Sequence, residues 1–316
     1  MDRTACIIAA GEWDGKRVLL KNRDRNYTPK VRIVRDVVDG TEVCYFEDTV
    51  TGWIEGLNEH GIGITNAALA VGMDEAEGKL VKVTGKTTRD GKRILRALSK
   101  DNIEDAVESI CEHDGGLKGH TFISTPEKVV CIEQTKSHDC RVKELSDDDI
   151  HVRTNHGHYH SDAGYTEGEK YVSSVIRREK ALQVLRNAET PLDLATLLMR
   201  NRMKDRNDPN NMVRDTNEMS TSSQTVLNLT DRELLFFVIP GKMDYEGLDD
   251  RLEGRESKIK VKVYGYRDGG KEFVELSPKT GLRRKSVEPV KLASRESPSP
   301  SIVAENYAQL TGRETC

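Results

Sequence analysis

The stretch that most constrains the fold is Cys6–Asp24, Cys-Ile-Ile-Ala-Ala-Gly-Glu-Trp-Asp-Gly-Lys-Arg-Val-Leu-Leu-Lys-Asn-Arg-Asp. Its two apolar runs, 6–10 and 18–20, flank a Trp-Asp-Gly turn, a pattern that predicts a buried β-hairpin at the head of the chain. The second strand runs directly into Lys21, Asn22, Arg23 and Asp24, four polar or charged side chains. A thiol at the start of one strand, beside such a cluster at the end of its neighbour, suits nucleophilic chemistry. Cleavage before Cys6 would put a free α-amine and a thiol on one residue. Their ordinary pKa values, about 8 and about 8.5, let each activate the other near neutral pH, and Asp24 could orient the amine. An inert core cysteine would leave the same local pattern, so the hairpin alone does not separate the two.

The whole chain sets outer bounds. At 316 residues it can bury a large α/β or α+β core. A net charge of −4 supplies no basic field for nucleic acid or an anionic membrane surface. No run approaches the roughly 18 apolar residues of a spanning helix, and no hydrophobic signal segment precedes Cys6. The six cysteines form no CxxC pair and no close framework, which suits a reducing compartment and predicts a cytoplasmic protein. Cys111 falls on the apolar face of an expected helix and Cys131 in an expected strand; both read as structural.

Strands are expected around Val31–Ile33, Val43–Phe46, His120–Ile123, Val129–Glu133 and 258–264. Helices are expected from Asp90 or Gly91 to Leu98, after Asp101, over 169–187, and from Pro191. Residues 71–88 and 200–217 are polar loops suited to lids. The chain from Ser277 is basic and then Ser-Pro-rich, and is expected to be an extended tail, with a homo-oligomer left open.

Two further stretches carry function. Gly52–Asn66 reads as strand, tight turn at Asn58–Gly61, and strand ending on Asn66. Ile150–His156 alternates and ends on Thr154, Asn155 and His156. With Cys6 and Lys21-Asn22-Arg23-Asp24, these motifs resemble, in order, those of the N-terminal nucleophile (Ntn) hydrolases of the choloylglycine hydrolase and penicillin acyltransferase group. The similarity covers roughly residues 6–240. It implies an α+β fold, the αββα four-layer sandwich, over residues 6–276, preceded by a propeptide, Met1–Ala5, cut at Ala5–Cys6. It also implies a cysteine amidohydrolase acting on a linear, non-peptide C–N bond of a small-molecule amide, with no cofactor. In that reading Cys6 is the nucleophile, Lys21 biases it toward thiolate, and Asp24 holds the amine. Asn66 and Asn155 would stabilise the oxyanion, while Tyr27, His156 and Ser223 would line the substrate site.

The chain departs from the family pattern in three places. Lys21 stands where bile-salt members place an arginine, Ile7 follows Cys6 where threonine is commoner, and no active-site arginine can be placed in the 221–238 hairpin. Acyl transfer to an amine and dipeptidase activity remain open alternatives. So does a non-catalytic module: His151, His156, His158, His160 and Asp162 could hold zinc or iron, or could form a polar rim.

Overall fold

The computed structural model describes residues 6–69, 89–111, 117–135, 140–201, 205, 208–216, 219–267 and 272–278. The expected propeptide, the 71–88 lid and nearly all of the tail therefore lie outside the described residues.

The first hairpin is β1 (Cys6–Trp13) and β2 (Lys16–Arg25), turning on Asp14 and Gly15, both at positive φ. These strands sit inside a seven-stranded sheet ordered β10-β1-β2-β11-β12-β14-β15. Its other members are β10 (His151–Arg153), β11 (Ser220–Asn228), β12 (Glu233–Val238), β14 (Lys260–Arg267) and β15 (Glu272–Leu276). An eight-stranded sheet runs β13-β3-β4-β5-β6-β7-β8-β9. It comprises β3 (Lys30–Val38), β4 (Thr41–Asp48), β5 (Trp53–Asn58), β6 (Gly63–Ala67), β7 (Gly119–Ser124), β8 (Val129–Gln134), β9 (Arg141–Leu145) and β13 (Asp244–Asp250). Both sheets are mixed: β12 pairs parallel with β14, and β3 with β13.

Three apolar clusters stack these layers. Ile8, Leu19, Phe46, Phe122 and Phe236 fill the space between the sheets. Ile7, Ala9, Leu20 and Phe237 pack beneath α3 (Gly168–Leu185) and α4 (Pro191–Arg200), which contribute Ala181, Leu185, Leu194 and Leu198. Val43, Ile54, Ile64 and Ile123 pack beneath α1 (Arg89–Leu98) and α2 (Ile103–Cys111). Helix, sheet, sheet, helix is the αββα sandwich. Burial on both faces explains why β1 begins as an unbroken apolar run instead of alternating.

No helix among the described residues is long and apolar enough to cross a membrane. Cys111 ends α2 packed against the third cluster, as read from the sequence, and what the sequence did not show is its disulfide with Cys140, Cα to Cα 5.9 Å. A sequence separation of 29 hid the pairing from spacing.

Candidate active site

Cys6 opens β1 directly opposite Arg23 of β2, and Arg23 lies opposite Ser223 of β11. This row crosses three central strands, and Cys6 faces the inter-sheet layer. The Cys6 side chain is buried, and Arg25 donates toward its Sγ across 3.7 Å while bonding the Asp24 carbonyl at 2.7 Å. Burial opposes the Arg25 charge, but Cys6, Tyr27 and Asp48 raise its pKa and hold it protonated. Arg23 pairs with Asp48 at 3.1 Å and lies over the Phe46 ring. Tyr27 also donates to Asp48, at 2.6 Å. Ser223 Oγ is buried with no hydrogen-bond partner among the described residues.

Asp24 lies one register position past Cys6, at the strand end where β1 begins. It is wholly buried. Its Oδ1 accepts from Thr221 Oγ1 at 2.6 Å and from Asn22 Nδ2 at 3.2 Å. Its Oδ2 makes no hydrogen bond among the described residues, although Arg214 Nε stands 3.7 Å away. Burial raises the Asp24 carboxyl pKa, against the pull of Arg214 and Arg177. Arg177, from the buried face of α3, is itself pushed down to about 9 by burial and by Arg214.

Lys21 projects into the inter-sheet layer. Its ammonium pairs with Glu55 of β5, bonds the Asn66 carbonyl at 2.5 Å, and lies 5.6 Å from the Trp53 ring centroid. Burial lowers its pKa and Glu55 opposes that. The Asn66 side chain donates to Thr121 Oγ1 at 2.8 Å and to the Lys118 carbonyl at 3.3 Å, which engages both of its N–H groups. The Asn155 amide donates to the Ala68 carbonyl at 2.7 Å and accepts from Arg177 at 2.9 Å. One Asn155 N–H therefore remains uncommitted among the described residues.

His156 is turned to α3, its Nδ1 2.9 Å from Ser174 Oγ and its ring edge-on to Tyr171. The other histidines diverge: His151 reaches the Ser146 carbonyl, and His158 packs on Tyr159. Backbone N–H groups of 158–160 are gathered by the Glu133 carboxylate. Among the described residues no three His, Cys, Asp or Glu side chains converge as metal ligands.

Sequence reasoning missed Glu55, Arg177 and Arg214. Glu55 had a signal, a lone carboxylate inside the apolar Trp-Ile-Glu-Gly-Leu run. Arg177 had a weaker one, an arginine among the inward positions of an amphipathic helix. Arg214 had none, because its loop carries no periodicity. A cleft of about 220 Å³ opens beside Arg25, lined also by Tyr27, Thr28, Met219 and Lys242.

A cysteine heading a central strand of two sheets stacked between helical layers defines the class of the N-terminal nucleophile hydrolases. The sequence model of the acyl-coenzyme A:6-aminopenicillanic acid acyl-transferase family matches residues 12–232, and the chain belongs to that family. The match includes Lys21–Asp24, Asn66 and Asn155 and begins after Cys6. Compared by sequence with curated proteins, the chain has no match. Among solved structures it is similar to a Caenorhabditis elegans ortholog of N-acylethanolamine-hydrolyzing acid amidase, at 13% identity over 71% of this chain and 93% of that one, with a TM-score of 0.49. A mutant conjugated bile acid hydrolase from Clostridium perfringens shares 13% identity over 74% and 89%, with a TM-score of 0.41. Penicillin V acylase from Agrobacterium tumefaciens shares 10% identity over 74% and 86%, with a TM-score of 0.39.

Proposed function

We propose that the chain is a self-processing cysteine amidohydrolase that cleaves a linear amide through an acyl-enzyme on Cys6. The observation that carries this reading is the arrangement at the head of β1. Arg25 lies on the Cys6 sulfur, and a buried Asp24 oxygen with no hydrogen bond among the described residues stands one register position on. Loss of residues 1–5 exposes an α-amine for that oxygen to accept from. The thiolate then attacks the amide carbonyl, and the carbonyl electrons move to oxygen. Collapse of this intermediate breaks the C–N bond; the amine, protonated when it takes the Cys6 thiol proton, gives that proton to the leaving nitrogen. Water attacks the thioester to release the acid; an amine acceptor in its place gives acyl transfer, the activity in the family's name. Asn155, with its uncommitted N–H, is the stronger oxyanion donor. Tyr27 and Arg25 wall a polar cleft, which favours a polar group next to the scissile amide over a long acyl chain.

Intact mass of the purified protein beside a Cys6→Ala variant tests this reading. Wild type lacking residues 1–5, with the variant retaining them, is the expected result. Retention in both sinks it. A cytoplasmic setting, expected from cysteine usage, belongs to the same proposal, and the Cys111–Cys140 bond weighs against it. Non-reducing peptide mapping of protein taken directly from its native compartment decides: free thiols support the cytoplasm, a linked peptide pair an oxidising compartment.

A further inference from the structure

Glu55 has no part in the chemistry above, yet it is a wholly buried carboxylate held by groups around the nucleophile. It sits on β5 and reaches across the inter-sheet layer to Lys21. Its Oε1 also accepts from Trp53 Nε1 at 2.9 Å, its Oε2 accepts from Thr65 Oγ1 at 3.2 Å, and the Asn66 backbone N–H lies at 3.4 Å. These donors satisfy both oxygens of the buried carboxylate. Two well-packed apolar residues would join the sheets as firmly as an ion pair, because desolvation offsets much of the Coulomb gain. Joining the sheets alone therefore leaves the ionic character of this pair unexplained.

We propose that Glu55 is a positioning residue for Cys6, keeping the Lys21 ammonium charged and fixed so that Lys21 in turn sustains the Cys6 thiolate. The inference rests on Cys6 being the nucleophile of the proposed function. Lys21 is faced by Glu55 from β5, by Cys6 from β1, and by Arg23 and Arg25 on its own strand. Lys21 lies two positions along β2 from Arg23, the residue opposite Cys6, so Lys21, Arg23 and Arg25 share the strand face that Cys6 presents to the inter-sheet layer, and the Arg177 charge acts on Cys6 from α3. Of the groups facing Lys21, Glu55 is the carboxylate in direct contact with its ammonium. Without it, burial, Arg23 and Arg25 work against the ammonium, and of the groups facing Lys21 Cys6 alone supports it.

The test is the pH dependence of iodoacetamide alkylation at Cys6, read by peptide mass spectrometry on the full chain. Wild type is compared with Glu55→Gln, Glu55→Asp and the apolar double variant Lys21→Met/Glu55→Leu, with circular dichroism reporting folding. An opposite charge at such range moves a thiol by roughly one pH unit or more, so Glu55→Gln should raise the half-maximal pH by about that much. The rate at pH 7 should fall about tenfold, with partial recovery in Glu55→Asp. The double variant should match Glu55→Gln in profile even if Glu55→Gln itself fails to fold. A wild-type profile in any folded variant lacking the carboxylate overturns the proposal. Intact mass on the same samples separates the two readings. Retained residues 1–5 with a Glu55-dependent profile sink self-processing and leave the coupling. Removed residues with a Glu55-independent profile do the reverse.

Discussion

At the residue scale, the site depends on a few buried polar atoms whose partners decide their roles. Asp24 keeps one oxygen free of hydrogen bonds among the described residues, so removing its charge without changing its shape should strike processing first. Asp24→Asn should slow loss of residues 1–5 by about 10²-fold or more, read by intact mass over time. The two asparagines should not be equivalent. Asn155→Ala should cost about 10²–10³ in turnover of whichever amide substrate a screen finds, the cost of losing an oxyanion donor. Asn66→Ala should cost less in turnover and more in melting temperature, because both of its donors hold Lys118 and Thr121 in place. Equal losses would remove the distinction. Sequence placed Cys6, Lys21, Asp24, Asn66 and Asn155 around one site, but which N–H is spent and which is free is a three-dimensional fact. The acceptors come from Ala68, Lys118 and Thr121, and nothing in their local sequence marks them as partners.

Elements carry the next layer of constraint. The hairpin β1–β2 was legible because a Trp-Asp-Gly turn between two apolar runs has few other readings, and Asp14 and Gly15 take the positive φ such a turn needs. Helix α4 was legible from Pro191 at its first position, and Asp193 accepts from the Thr190 backbone N–H at 2.9 Å. Strands β9, β13 and β15 were not anticipated. All three lie at or beside sheet edges, where partial exposure dilutes the apolar signal. On β5, Gly56 permits a close approach that no side chain could share: a Cβ there would lie 2.1 Å from the Cys44 carbonyl oxygen of β4. Gly56→Ala should therefore destabilise by about 3 kcal/mol or more, seen as a lower denaturant midpoint. It should also displace Glu55, the adjacent residue, and so depress Cys6 alkylation.

For the whole molecule, the stacked layers leave several histidines too buried to charge. Burial pushes His156 down to about 4, and His120 to about 3, with the 2.8 Å hydrogen bond between the His120 ring and the His156 carbonyl opposing it. A histidine depressed in the folded state binds its proton more readily when unfolded. Stability is therefore full above about pH 6.5 and falls as pH drops toward 4, because only the unfolded chain takes up protons in that window. Melting temperature measured from pH 7 to pH 4 should decline, and His156→Gln should make the decline shallower; an unaltered slope would show that His156 titrates alike in both states.

What the sequence by itself determined is the family, the candidate site residues and the layering. A near-terminal cysteine, a basic-Asn-X-Asp strand end and two asparagine-terminated strands are local patterns, and doubly buried strands write themselves as apolar runs. Tertiary structure alone decided which charges meet. Arg177 comes from a helix and Arg214 from an aperiodic loop to stand by Asp24, and Glu55 crosses from the other sheet to Lys21. Cys111 finds Cys140 in the same way. Hydrophobic periodicity is a property of one segment, whereas ion pairs and disulfides between segments depend on register and stacking, which no single segment encodes.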